Sequence, residues 1–435
     1  MTFDRKSFLL ATWEAGGSVA PFITVARKLI GAGHQVRIVS DICNRDEALA
    51  VGADFSPWNR APNRAARGRD HEPFKDWEVP AGVESFSLLL DGMIVGSALD
   101  FAKDVIEVLD QHPCDLVVAN DLLFGVLMGC EAHGQACAVL ACNTLSFPLV
   151  EGIPPLGPGF PPAVTEDEKL LHAEIGRGTM ELLDARLPIY NAMRAELALP
   201  PLAHLTDQLF VADRFLLGTS RAFDFAVEDM PAFYSYVGPQ LDDNRWSDDW
   251  VSPFAANDRR PLVLVAFSTT FQNHAGVLQN IVDALSLLNV RGVVTLGGSL
   301  EPDEVRGTDN VAVVASAPHN ELLREASLLI THGGHGTMLK GVMAGVPSLI
   351  LPHGRDQADN AIRVAHRGAG IILEPASPTG AIRAALVQLL EDPSYIEAAA
   401  ALSTRVRQEF DPCRVVTELT ELASGSAGQE VCKIA

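Results

Sequence analysis

Between Leu329 and Leu373 the chain reads LITHGGHGTMLKGVMAGVPSLILPHGRDQADNAIRVAHRGAGIIL, in which apolar runs, glycine turns and helical periodicity alternate. This order restricts the segment to strand–turn–helix units of a buried parallel sheet. Ser327 to Thr331 is the first strand. His332-Gly333-Gly334-His335-Gly336-Thr337 turns the chain, and a helix follows. Several backbone N–H groups and the positive end of a helix then converge on one point, an arrangement that binds phosphate. The glycines let an anion approach the backbone, and His332 and Thr337 add side-chain donors. A second strand, Ser348 to Leu351, leads to Asp356 and Gln357, an acidic-plus-amide pair suited to neighbouring hydroxyl groups. A phosphate grip and a hydroxyl grip on consecutive strand ends describe a nucleotide-sugar site.

The same alternation runs through the rest of the chain. Ser7 to Thr12 reads as a strand, Ala15-Gly16-Gly17 as a turn, and Pro21 to Ile30 as a helix that Gly31 and Gly33 end. Gln35 to Ser40, Asp115 to Ala119 and Cys137 to Ala141 are further strands. The segment from Asn44 to Val83 has no clear periodicity and reads as loops and short helices at a cleft mouth. Leu149 to Gly159, heavy in Pro and Gly, reads as an irregular loop before a helical stretch from Glu166 to Leu197. Tyr236-Val237-Gly238-Pro239 and the polar stretch Asp242 to Asp249 mark a boundary. Pro261 to Phe267 starts a second series, with strands at Gly292 to Leu296 and Val311 to Ala315, and a helix from Ser394 to Phe410 closes it. The expected fold is α/β, with two doubly wound parallel sheets facing across a cleft. Residues 1–238 form an N-terminal acceptor domain, 239–409 a C-terminal donor domain, and 410–435 a tail packing back on the first.

Composition narrows the class. At 435 residues the chain exceeds one ordinary core, and 48% apolar content supports two. A net charge of −22 argues against a nucleic-acid surface, although backbone dipoles can still bind a nucleotide. Apolar runs such as Leu88 to Leu90 and Met93 to Val95 are short, so no membrane span is expected, and the first residues read as a strand and not a signal peptide. Seven scattered cysteines without CxxC spacing point to a reduced, cytoplasmic enzyme. No GxGxxG follows either first strand, which disfavours an NAD enzyme.

THGGxGT, GVP and DQxxNA together resemble the donor-binding signature of plant and antibiotic-type nucleotide-sugar glycosyltransferases of the GT-B fold. The likeness continues in GGSVAPFITVARKLIGAGHQV near the start, VGP at the boundary and FSTTF after the first strand of the second series. It implies an inverting, metal-independent transferase that moves a sugar from UDP or dTDP to a small apolar acceptor, as a monomer or homodimer without a cofactor. By that resemblance His332, Gly334, Gly336 and Thr337 hold the diphosphate with Thr269 nearby, Asp356 and Gln357 hold the sugar, and Asn360 supports their loop. His335 stands where plant members have Trp, with packing and functional roles evenly weighed. Phe86, Leu122, Phe124, Leu145 and Phe147 fall in segments that line the acceptor side, each taken singly being ordinary core. Asp242-Asp243 and Asp248-Asp249 read as a solvated charge run and not a metal site.

Three departures qualify the resemblance. Ser316 replaces the Trp that stacks on uracil, and Lys340 replaces the Glu that holds the ribose. An ammonium only donates where a carboxylate accepts, a change that penalises a uridine donor more than a deoxyribose one. Across the cleft, Ser18 stands at the position of the catalytic His and Asn120 at that of its orienting Asp. Neither is a base near neutral pH. Glu14 and Asp121 are the nearest spare carboxylates, Asp121 being expected as a helix N-cap first. His71 and His274 are read as solvated loop residues. An acidic acceptor needing no base, a silent sugar-nucleotide-binding partner and a nucleotide-sugar epimerase remain alternatives at this stage.

Overall fold

A computed structural model describes residues 5–242 and 250–425. Two all-parallel sheets organise them. The first contains β1 (Ser7–Ala11), β2 (Gln35–Ser40), β3 (Asp54–Pro57), β4 (Leu116–Asn120), β5 (Cys137–Ala141), β6 (Phe215–Leu217) and β7 (Tyr234–Tyr236), in spatial order β3-β2-β1-β4-β5-β6-β7. The second contains β8 (Leu262–Ala266), β9 (Arg291–Thr295), β10 (Val311–Val314), β11 (Ala326–Thr331), β12 (Ser348–Ile350) and β13 (Gly370–Ile372), ordered β10-β9-β8-β11-β12-β13. In each sheet the strand order reverses beside the first strand, between β1 and β4 and between β8 and β11. A doubly wound sheet opens its ligand crevice at that reversal, beyond the strand ends.

The central strands are buried on both faces: every residue of β4, β5 and β8 is buried. Such continuous apolar runs are the signature of a sheet covered by helices on both sides. One face of the first sheet packs Leu9, Ala11, Val117 and Val139 against Phe101, Val105 and Phe124. The other packs Phe8, Leu10, Val118 and Leu140 against Phe22, Val25 and Leu29 of the Val19–Gly31 helix. The same layer takes in Val415, Leu419 and Leu422, so the Arg414–Ala423 helix docks on the first sheet after the chain has completed the second. Ser235 donates to Glu418 across this contact at 2.7 Å.

Several elements differ from the sequence reading. The stretch from Glu166 to Leu197 is two helices, Glu166–Asp184 and Leu187–Glu196, the second having a proline in its first turn. The helix expected to close the chain spans Pro393–Glu409, and the Arg414–Ala423 helix follows it. The helical stretch 83–111 contains an 18-residue window of mean hydropathy 1.4, so by length and composition alone it is apolar enough to cross a membrane, which the short apolar runs did not suggest. The reason is that a π-helical turn, Leu90–Ile94, carries helical structure through Asp91 and Gly92. The segment's Leu90, Met93, Ile94, Phe101 and Val105 belong to the first sheet's core. Asp243, Asp248 and Asp249 of the expected charge run lie outside the described residues, while Asp242 pairs with Arg27 at 2.5 Å.

Candidate active site

The strand ends of the two sheets face one another. The HGGHGT turn follows β11, and its helix spans His335–Ala344 with Gly334 as N-cap. Gly333 adopts φ +98°, and a Cβ there would lie 2.7 Å from the Gln357 carbonyl oxygen, so the turn admits only glycine without displacement. Gly334 leaves room for a ring in the same way: its added Cβ would stand 2.7 Å from His332 Nε2. His332 is therefore tucked against the helix N-terminus. A cleft enclosing about 940 Å³, open mouth included, begins here. His335, Gly336, Thr337, Lys340, Ser316 and Thr269 line it on one side and Gly17, Ala20, Pro21 and Cys142 on the other. Thr269 reaches the opposite domain, since a Cβ on Gly16 would lie 2.8 Å from its hydroxyl oxygen.

His332, Gly334, Asp356 and Gln357 are outside the lining of this cleft. His332 lies in a cluster with Phe267, His274 and His353, with ring centroids 5.7 to 6.4 Å apart for the contacting pairs. Desolvation, then the neighbouring histidines, holds His332 well below the usual imidazole range. His274 is likewise pushed down to about 4, chiefly by burial. That residue was expected in solvent but is 1% exposed and precedes the Ala275–Ser286 helix, where Ser299 and Phe267 enclose it. His335 is lowered to about 4 by burial, its ring bonded to Thr219 at 3.0 Å and edge-on to Phe223. These imidazoles are neutral at physiological pH. An anion at this turn would meet the positive helix end, backbone N–H groups and Lys340 in the cleft lining, and no charge on these imidazoles.

Asp356 sits at the domain junction. Its Oδ2 accepts from Asn143 Nδ2 at 2.8 Å, across the interface, and from Asn360 Nδ2 at 2.7 Å. The Oδ1 atoms of Asn143 and Asn360 are both buried without a hydrogen-bond partner among the described residues. Gln357 is buried, with its amide engaged: Oε1 accepts from the His353 N–H, and Nε2 donates to Gln272.

Of the four residues singled out for catalysis, Ser18 and Asn120 are not hydrogen-bonded to one another among the described residues. Ser18 precedes the Val19–Gly31 helix, and its carbonyl accepts from Thr12 Oγ1. Asn120 Oδ1 accepts from the Leu122 N–H at 3.1 Å. Glu14 is buried with both oxygens occupied, by the Gly16 N–H and by Arg67 Nε, each at 2.9 Å. Asp121 is different. The N-cap role expected for it falls to Leu123, because the Phe124–His133 helix starts three residues later. Asp121 is 4% exposed, and its Oδ2 accepts from Ser146 Oγ at 2.9 Å. Burial pushes its carboxyl up to about 6; Ser146 pulls it down and the charge of Asp356 pushes it further up. A carboxylate with this affinity is matched to taking a proton near neutral pH.

The expected acceptor-side apolar residues are mostly core. Phe124, Leu145 and Phe147 are buried in the first sheet's cluster, with Phe86 and Leu122 packed against it. Sequence reasoning missed Asn143 and Ser146, which lie on the loop after β5 in a stretch without any motif. Among the described residues no group of three or more His, Cys, Asp or Glu is arranged to hold a metal ion.

Residues 279–422 match the family described as erythromycin biosynthesis protein CIII-like, C-terminal domain. The 10-deoxymethynolide desosaminyltransferase of Streptomyces venezuelae is 35% identical over 92% of this chain and 93% of its own length. Among solved structures, the calicheamicin glycosyltransferase CalG4 superposes with a TM-score of 0.76 at 20% identity, over 98% of this chain and all of that one. The glycosyltransferase VinC, solved in complex with dTDP, gives 0.68 at 19% identity over 96% of this chain and all of its own. With its two facing parallel sheets and its HGGHGT and DQ turns, this chain belongs to the antibiotic macrolide type of GT-B nucleotide-sugar glycosyltransferases.

Proposed function

We propose that the protein transfers a sugar from dTDP or UDP to a hydroxyl of a small, largely apolar natural product, with inversion, and that Asp121 is the base. The observation that carries this reading is that one loop, through Ser146 and Asn143, holds a buried carboxylate from each domain, Asp121 and Asp356. Asp356 and the unpartnered oxygens of Asn143 and Asn360 form a set of acceptors suited to the donated hydrogens of sugar hydroxyls. Asp121 is held by Ser146, three residues along the same loop from Asn143, and the charge of Asp356 raises its carboxyl further. A base there removes the acceptor's proton as its oxygen attacks the anomeric carbon and the C–O bond to the diphosphate breaks. One displacement inverts the centre. The helix N-terminus at Gly334 to Thr337 supports this reading, since its dipole would stabilise charge developing on the leaving diphosphate.

Glu14 is not assigned this role, because Arg67 and the Gly16 N–H already satisfy its carboxylate. Lys340 in place of a carboxylate favours a deoxyribose donor, in keeping with the dTDP bound to VinC. Acceptors of the macrolactone kind are favoured by the desosaminyltransferase relative. The test is to incubate the protein with dTDP- and UDP-sugars and a panel of macrolactones, phenols and alcohols, reading products by mass and anomeric configuration by NMR. No product from any pair, with nucleotide still bound, would overturn the reading; a retained configuration would overturn the single displacement.

A further inference from the structure

The loop that leaves β5 carries more than the acceptor-side residues. It runs from Cys142 to Phe160, and near its start Asn143 donates to Asp356 while Ser146 donates to Asp121. Its far end meets a second carboxylate of the donor domain. Asp359 Oδ2 accepts from the Gly157 N–H at 2.7 Å, and Oδ1 accepts from the Gly159 N–H at 3.1 Å. Each oxygen thus takes one backbone donor from the opposite domain. Asp359 is 2% exposed and lies on the Gln357–Ala365 helix, directly after the residues assigned to the donor sugar.

The sequence of the loop suits this contact. Pro148, Pro154, Pro155 and Pro158 supply no N–H groups, and Pro158 fixes the backbone between the two glycines that do. Gly159 adopts φ +70°, and a Cβ there would lie 2.9 Å from the Ala358 carbonyl oxygen and 3.0 Å from the Ala358 side chain. The loop is pressed onto the helix so closely that only glycine fits. Arg363 holds the helix in turn, donating to the Asp359 carbonyl at 2.8 Å and pairing with buried Asp224.

We propose that Asp359 is a positioning residue that clasps the 142–160 loop to the donor-sugar helix, so that the wall of the acceptor site is built jointly by both domains. Asp359 touches neither sugar nor acceptor in this scheme. It fixes the loop whose other end sets Asp121 through Ser146 and Asp356 through Asn143. The proposal rests on the assignment of Asp121 and Asp356 above, and its test has readouts that need no acceptor.

The Leu156–Gly157 peptide contains one of the clasped N–H groups, so chymotrypsin cleavage after Leu156 reports the clasp directly. Asp359→Ala is expected to speed that cleavage about tenfold or more, since removing a buried charged acceptor frees two backbone donors. Asp359→Asn, which keeps one accepting oxygen, should fall between. Gly159→Ala, which attacks the contact from the loop side, should mimic Asp359→Ala. Binding of dTDP, measured by calorimetry, should stay within about twofold in all three, as expected when only the loop contact is lost. With an acceptor from the product screen, the acceptor KM should rise by more than the donor KM, because Asp356 keeps Asn360 as a partner when Asn143 is released. Unchanged cleavage in both Asp359→Ala and Gly159→Ala would overturn the clasp, whatever the product screen gives. Faster cleavage accompanied by loss of dTDP binding would also overturn it, marking collapse of the donor helix instead of release of a loop.

Discussion

Replacing Asp121 by Asn should lower activity and raise stability together, because one buried carboxylate serves the first at the expense of the second. The side chain keeps its shape and can still accept from Ser146, now at 2.9 Å from Oδ2. What disappears is the ability to take a proton. Loss of a general base costs about 10²- to 10⁴-fold in kcat. In the wild-type protein the base works only when ionised, so kcat should fall on the acid side with a midpoint set by a carboxyl raised to about 6. At pH 5 roughly a tenth of the groups would be ionised, giving about a tenfold loss. The variant should show no such limb. Stability runs the other way. The carboxyl rises from 3.8 unfolded to about 6 folded, with burial the main cause. An acid whose folded value is raised destabilises the fold above that value, and the cost vanishes below the unfolded value. The shift corresponds to about 3 kcal/mol at most. Asp121→Asn should therefore resist urea better than wild type at pH 8, and the gap should nearly close at pH 4. Wild-type turnover in the variant, or an acid limb that survives the substitution, would refute the assignment of the base.

Three further outcomes follow from the same geometry. Arg363→Ala should destabilise the protein by about 3–5 kcal/mol in denaturant titration, because it leaves Asp224, 0% exposed and 2.7 Å from the guanidinium, as an unpaired buried charge. Gly333→Ala forces a left-handed alanine against the Gln357 carbonyl, so a cost of about 1–3 kcal/mol and weaker dTDP binding by calorimetry are expected. Lys340→Glu should move nucleotide preference toward UDP by about tenfold in competition binding, the value of one charge-assisted hydrogen bond to a ribose hydroxyl; no change in the UDP-to-dTDP ratio would remove Lys340 from donor selection.

The parts of the fold that could be read from sequence are those where burial leaves a pattern. β1, β2, β4, β5, β8, β9, β10, β11 and β12 are apolar runs between glycine turns, and their expected bounds lie within a residue or so of the observed ones. The strands that escaped, β3, β6, β7 and β13, are three or four residues long, and β3 is a half-exposed edge without an apolar run. The segment from Asn44 to Val83 lacked periodicity because ion pairs and not apolar packing fix much of it: Arg64 with Glu72, Arg67 with Glu14 and Glu47, and Asp76 with Arg355. In the site, the phosphate turn was legible because glycine spacing encodes backbone geometry. Asp121 was misplaced as a cap because spacing to the next helix was off by two residues, and nothing local marks Ser146, 25 residues on, as its partner. His274 looked solvated for a similar reason, since Ser299 reaches it from the end of another strand and Phe267 folds back on it from the start of its own loop.

The docking of the Arg414–Ala423 helix on the first sheet bears on how the protein is made. Val415, Leu419 and Leu422 close over Phe8, Leu10 and Phe22, residues synthesised well before them. The whole second sheet is synthesised in between. The second sheet can therefore complete its core while one face of the first still lacks its cover, so the earlier-made of the two sheets is closed after the later one. A ribosome stalled before Arg414 would hold a chain whose donor half is folded and whose acceptor half still exposes apolar surface to water. Protection of that half should accordingly wait on the Arg414–Ala423 helix.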